Sequence, residues 1–450
     1  MALDVLQPEQ AAFLADLVRV EGAAFDLAVH QLLVPVPGSS SQPVHACVDV
    51  VHRTSMMPPT ADVEPRSRAA ARAVVVSDEP FGARLGASPG AGGHGRCMGS
   101  LPLWALVLIF VAGAAVIWVA GIQLSKTTDV LDDRLHLGSA LGGLIVLAVA
   151  TNLPEIAITV SAGLSGNIEV AAGNILGGIA LQTVVIAILD AFGKRGKGVR
   201  PLTYRAASLT LVLEAIVVVA VLAVVVAGSQ LPPDLVVARL TPDVVLIAAI
   251  WVVGLLLVQR AGKSLPWHED GRAPDASPHT SGHRTRKQDP PRMSTRKAAI
   301  VFTVSALATL VAGVVLERAG DAASEQIGLS GVLFGATVLA LATSLPEIST
   351  GIQAVRQGDD NLAVSDIFGG NAFLPVLFLV ATVLSGKAVL PQANASDVYL
   401  TALAALLTLV YAVGLVFRPR RRIIGLGVDS FVVVVLYLVG VAGLVAITLG

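Results

Sequence analysis

The sequence predicts an all-α polytopic membrane protein whose ten transmembrane helices form two inverted five-helix repeats. Three observations carry that prediction. The chain of 450 residues is 54% hydrophobic and only 14% charged, about half the charge of an ordinary soluble domain. From residue 101 onward, apolar runs long enough to cross a bilayer, about 20 residues, recur to the last residue. A polar motif in the second of these runs returns five crossings later.

Residues 1–97 come first and differ from everything after them. They are rich in Pro, Gly, Ser, Arg and His, with neither an apolar run of spanning length nor a signal-peptide pattern. A disordered leader is expected here, or a mis-called start, because Met98 opens the stretch Met-Gly-Ser-Leu-Pro-Leu-Trp. Hydropathy then places segments at 101–124, 138–162, 168–192, 206–228 and 242–259, and again at 298–316, 327–354, 362–385, 397–417 and 428–449. The first five make up a half at 101–259 and the last five a half at 298–450. Between them, 260–297 is a hydrophilic linker whose His268, His279 and His283 match no compact metal site. Cys47 and Cys97, the only cysteines, lie outside the apolar region, which sets aside disulfides and cysteine-ligated metals for the membrane part. A formal net charge of -1 shows no basic excess for nucleic acid.

Positive charge sorts the loops. One side carries 21 Lys and Arg, among them Arg200, Arg205 and Arg418 to Arg422, and the other only Arg239, Arg318 and Lys387. Cytoplasmic loops hold the excess, so both ends of the ten-helix domain are expected to face outside, in the plasma membrane.

The internal repeat is the most informative feature. Ala150-Thr-Asn-Leu-Pro-Glu-Ile156 returns as Ala342-Thr-Ser-Leu-Pro-Glu-Ile348, 192 residues on, and 13 of the 33 positions from 150 to 182 are identical at that offset. The copies occupy segments 2–3 and 7–8. An odd displacement of five crossings means that the second copy enters the membrane in the opposite sense, as in transporters whose ion sites lie at the repeat interface near the midplane.

Glu155 and Glu347 fall inside segments 2 and 7, where an unpaired carboxylate costs a few kcal/mol. No Lys or Arg lies inside any of the ten segments, so the partners at that depth are cations, protons and polar side chains. Thr151, Asn152, Thr343 and Ser344 stand one turn earlier on nearly the same faces. Pro154 and Pro346 cannot donate to the carbonyls of Ala150 and Ala342, which are freed as further ligands. The partner helices bring Asn174 and Gln182, and Asp366 and Asn371, beside the small pairs Gly177-Gly178 and Gly369-Gly370. Every donor is an oxygen ligand, a set suited to Ca²⁺, Mn²⁺ or Na⁺ rather than to zinc or copper. A lone Asn174 or Gln182 in a membrane helix is commonly a helix–helix hydrogen bond, whereas two symmetry-related buried glutamates are costly as packing devices. Glu214 has no repeat counterpart and is left outside the site. Asp190, Asp243 and Asp429, at segment ends, are expected to be solvated.

At these residues the chain resembles the cation/calcium exchanger superfamily, most closely its prokaryotic sodium/calcium exchanger branch. Its repeats carry a Thr-Ser-x-Pro-Glu element followed by a Gly-Asn-x-x-Gly-Ser-Asn element. The resemblance spans about residues 101 to 450 and is motif-specific at 150–182 and 342–374. It implies countertransport of cations, with Glu155 and Glu347 as central ligands and Thr151, Asn152, Thr343 and Ser344 completing the coordination. The chain departs from the pattern where Gly178 and Gly370 replace the serines, where Ile179 replaces an Asn that Asn371 keeps, and where Gln182 and Leu374 stand at positions usually held by Asn or Asp.

The expected function is therefore a secondary antiporter and not an enzyme. It exchanges Ca²⁺ for Na⁺ or H⁺ by alternating access, since a carboxylate taken out of water can trade a proton for a cation. Exchange of Na⁺ or K⁺ for H⁺ is the alternative. A membrane-embedded hydrolase is a weaker reading, because the sequence offers no nucleophile or water-activating metal site and the inverted repeat goes unexplained; a non-transporting scaffold, the third, predicts that Glu155→Gln and Glu347→Gln leave every activity unchanged. Beyond the transported cations no cofactor is expected. The partners are inorganic cations and membrane lipid, with a homo-oligomer left open.

Overall fold

The computed structural model describes residues 101–135, 149–166, 168–192, 200–206, 208–263 and 293–449. The leader, most of the first part of segment 2 and the loop histidines lie outside the described residues. The described residues are helical almost throughout, with one two-stranded hairpin among them, β1 (Arg422–Ile423) and β2 (Leu426–Gly427).

The helices follow the apolar runs. In order they are α1 (Leu103–Leu135), α2 (Leu153–Ser165), α3 (Ile168–Phe192), the single turn α4 (Leu202–Arg205), α5 (Leu209–Gly228) and α6 (Pro242–Lys263). After the linker come α7 (Thr295–Ile327), α8 (Gly331–Thr343, with a π-helical stretch at Gly335–Leu339) and α9 (Leu345–Gln357). Next are α10 (Asp360–Phe373), α11 (Leu377–Ser385), α12 (Ala395–Phe417) and α13 (Val428–Leu449). Among the described residues eight helical spans are long and apolar enough to cross a membrane, α10 and α11 counting as one from Asp360 to Ser385, and the bent pair α8–α9 makes a ninth. The remaining expected segment is represented by α2, 13 residues long.

Proline sets the two breaks. Helix α2 restarts after Asn152 (φ -89°, ψ 13°) and α9 after Ser344 (φ -80°, ψ 4°), each with proline in its first turn, where the missing N–H costs nothing. The α8–α9 pair bends by 43° at Ser344.

The core sits at the middle of the bundle. Helix α3 is 78% buried over its most apolar stretch, against 28% for α1 and 17% for α13. Close approach around α3 depends on glycine: a Cβ on Gly173 would meet the Val332 carbonyl at 3.1 Å, and one on Gly177 would fall inside the backbone of Ala336. Long helices α1 and α7, 33 residues each, pack against one another at the periphery and leave Trp104, Val107, Leu108 and Val304 exposed.

Two expectations need correction. Segment 6 was expected to stop at 316, but α7 continues to Ile327 and closes on Gly328 in the left-handed conformation. Its added turns bury Glu317 and Ser324, a helical continuation that hydropathy does not register. Asp190, Asp243 and Asp429 were expected in solvent and are instead 1%, 3% and 5% exposed. Asp190 accepts from the backbone N–H groups of Leu202 (2.8 Å) and Gly427 (2.6 Å), with Arg422 at 3.8 Å. It thereby ties the end of α3 to α4 and to the hairpin. Asp243 packs over Gly228, and Asp429 over Gly414, both glycines leaving the room that a side chain would take.

Candidate functional site

Helices α2, α3, α9 and α10, with the breaks before α2 and α9 and the end of α8, bring the repeated polar residues together. Glu155, Glu347, Thr151, Asn152, Thr343, Ser344, Asn174, Gln182, Asp366 and Asn371 are all buried, none more than 5% exposed. Glu155 receives a hydrogen bond from Gln182 Nε2 at 3.4 Å. The Thr343 hydroxyl, from the other repeat, sits between Glu155 and the Ala340 carbonyl at 3.1 Å. The Glu347 carboxyl lies within electrostatic range of both Glu155 and Asp366. The two repeated glutamates and the aspartate therefore face one region.

Neighbouring contacts fix that region's walls. Thr350, one turn beyond Glu347, donates to Asp366 Oδ2 at 3.0 Å. Asn371 Nδ2 donates to the Thr183 hydroxyl at 3.0 Å, and Ser344 to the Ala340 carbonyl at 2.8 Å. Gly370 lies against the first repeat: a Cβ there would meet Asn152 Nδ2 at 3.1 Å and Gln182 Oε1 at 3.4 Å. Its counterpart Gly178 would meet only Leu374, at 3.6 Å. The two repeats are thus chemically unequal at the same position. The breaks at Asn152 and Ser344 lie just before the two glutamates, so the backbone is irregular beside the acids.

The site's oxygens outnumber its donors. Among the described residues no hydrogen-bond partner reaches Glu155 Oε2, either carboxylate oxygen of Glu347, Asp366 Oδ1, Asn174 Oδ1, Gln182 Oε1 or Asn371 Oδ1. A buried oxygen left in that condition costs about 1–3 kcal/mol, more if charged. Cations or protons offset such a cost, and an all-oxygen set favours hard cations. Among the described residues no group of three or more His, Cys, Asp or Glu side chains could hold a metal ion, so a cation here shares carboxylates with neutral oxygens.

Several participants were missed by sequence reasoning. Thr350 stands three residues after Glu347 on the same helix. Thr183 follows Gln182 directly. Ser365 donates to Glu214 Oε1 at 2.9 Å, which sets Glu214 one residue behind Asp366 and outside the central group. Ser161 donates to Glu317 at 3.2 Å, joining α2 to the extension of α7.

Comparison with known proteins adds independent findings. The sodium/calcium exchanger protein family matches residues 105–258 and 297–446, the two halves without the linker. The candidate antiporter CaxA of Alkalimonas amylolytica is 22% identical over 322 residues, 71% of this chain and 93% of that protein. Inner membrane protein YrbG of Escherichia coli is 25% identical over 280 residues, 62% of this chain and 78% of its own length. Among solved structures, the H⁺/Ca²⁺ exchanger CAX superposes with a TM-score of 0.54 at 13% identity, covering 76% of this chain and 82% of that one. The sodium-calcium exchanger NCX_Mj reaches 0.51 at 14% identity, covering 76% and 99%. At these identities the likeness is one of fold.

Proposed function

The chain belongs to the sodium/calcium exchanger family, and from that premise we propose that it is a secondary antiporter exchanging Ca²⁺ for Na⁺ or H⁺ across the plasma membrane. The observation that carries the proposal is that Glu155 and Glu347, one from each repeat, are buried within electrostatic range of one another, and that no donor among the described residues reaches Glu155 Oε2 or either carboxylate oxygen of Glu347. Glu155 and Glu347 are the central ligands of the cation, and Thr151, Asn152, Thr343, Ser344, Asn174, Gln182, Asp366 and Asn371, with the Ala150 and Ala342 carbonyls, make up the oxygen-rich path from which the remaining ligands are drawn. Competing cations use the same carboxylates at different times, and that competition couples their movements.

The membrane domain is two inverted five-helix repeats, 101–259 and 298–450, joined by the linker at 260–297 and preceded by the leader at 1–97. Support comes from a pair of contacts that obey the motif's own offset. Gly121 of α1 packs on Pro346 of the second repeat, and Gly313 of α7 packs on Pro154 of the first. These glycines are 192 residues apart, as are the prolines. Each peripheral helix therefore rests on the broken helix of the other repeat, an arrangement through which sliding of α1 and α7 bears on both glutamates together. The lysine and arginine asymmetry orients both ends outward.

The test is Ca²⁺ uptake into liposomes holding the purified protein, driven in separate trials by an outward Na⁺ gradient and an outward proton gradient. Uptake that follows one gradient names the coupling ion. Absence of uptake under both, in folded protein, overturns Ca²⁺ as substrate.

A further inference from the structure

A second polar feature lies away from the glutamates. At the end of the bundle opposite Arg422, a pocket of about 300 Å³ opens between the starts of α3 and α12, the end of α5 and the loop before α12. Its polar lining is Glu169, Ser229, Gln392, Asn394, Asp397 and Thr401, with exposed Lys387 beside them. Asp397 is 4% exposed. One of its carboxylate oxygens accepts from the Asn394 N–H at 2.9 Å, an ordinary use of an acid at a helix start. The other, Oδ1, has no hydrogen-bond partner among the described residues although it is buried in the pocket wall.

The charges around it are not balanced. Glu169, exposed at the mouth, lies close enough to Asp397 for their charges to interact. Asp243 adds a third carboxyl behind the wall, beside Gly228 and Leu390. Against these stand exposed Lys387 and Arg239, and Arg239 already donates to the Val383 carbonyl at 3.3 Å. The opposite end of the bundle resolves the same situation differently. There the start of α10 carries Asp360, and Arg205 meets it in an ion pair of 2.6 Å. Where one end closes an acid with an arginine, the other sets two acids around an open pocket.

We propose that this pocket is a peripheral divalent-cation site, separate from the central one, in which Asp397 and Glu169 supply the carboxylates and Thr401, Gln392 and Asn394 neutral oxygens. Two carboxylates with amide and hydroxyl oxygens suit Ca²⁺ that keeps part of its water. The pocket's floor includes Leu176, two residues beyond Asn174, so a cation held here waits on the same helix that leads inward.

Equilibrium binding of ⁴⁵Ca²⁺ to the full chain in nanodiscs of zwitterionic lipid tests this. In the Glu155→Gln/Glu347→Gln background the expected result is one residual weak Ca²⁺ site. Glu169→Gln, an exposed substitution that disturbs no packing, and Asp397→Asn each weaken that residual site at least tenfold, while Lys387→Gln tightens it several-fold. Residual binding that ignores both acid substitutions overturns the proposal, as does the absence of residual binding. The count lost between the wild type and the double variant reports on the central site, so failure there is read separately.

Discussion

At the scale of single residues, the two repeats are unequal where they look alike. Gly370 is held against Asn152 and Gln182, whereas Gly178 has ordinary van der Waals room. Overpacking a filled site costs about 1–3 kcal/mol, so Gly370→Ala should weaken apparent Ca²⁺ affinity by about tenfold. Gly178→Ala should change it little. Uptake measured against Ca²⁺ concentration for the two variants checks this, and equal effects would contradict the asymmetry. The glutamates and their flanking hydroxyls were legible in the sequence because polar residues inside a membrane are costly and these recur at one spacing. Thr350 and Thr183 were not, since a lone threonine in a membrane helix ordinarily bonds its own backbone. Thr183 does so as well, donating to the Ile179 carbonyl at 2.8 Å. The burial of Asp190 was hidden for another reason: its partners, the N–H groups of Leu202 and Gly427, are backbone groups that any sequence supplies.

At the scale of elements, the decisive contact is between α3 and the π-helical stretch of α8. Gly177 faces Ala336 so closely that a methyl group has no place there. Gly177→Ala should force the helices apart, at a cost of about 1–3 kcal/mol, and lower the melting temperature of the purified protein by a few degrees. The adjacent Gly178→Ala is the control and should melt like the wild type. An unshifted Gly177→Ala would mean that this contact is not tight in solution. The spans themselves were legible from hydropathy, since most helix ends fall within a few residues of the apolar runs. Helices α1 and α7 are the exceptions, running on to Leu135 and Ile327; in α7, Glu317 and Ser324 are buried by packing against neighbours rather than by their own apolarity. The breaks at Asn152 and Ser344 follow from Pro154 and Pro346, while the π-helical stretch at Gly335–Leu339 had no local signature. It arises where α8 must accommodate Gly173 and Gly177 of α3.

At the scale of the whole molecule, the offset of 192 residues joins sequence to architecture. It relates the motifs, the two broken helices and the reciprocal packing of Gly121 on Pro346 and Gly313 on Pro154. In the proposed antiporter, two halves that each lean on the other's break move as a pair, and the site shared between them changes its access when they do. That account requires both glutamates to act on one cation. Ca²⁺/⁴⁵Ca²⁺ counterflow in liposomes tests it without any choice of coupling ion. The wild type should accumulate ⁴⁵Ca²⁺, and Glu155→Gln and Glu347→Gln should each abolish accumulation, while Glu214→Gln, which lies outside the central group, retains much of it. Counterflow that survives in either central variant, or that is lost equally in all three, would contradict a shared site.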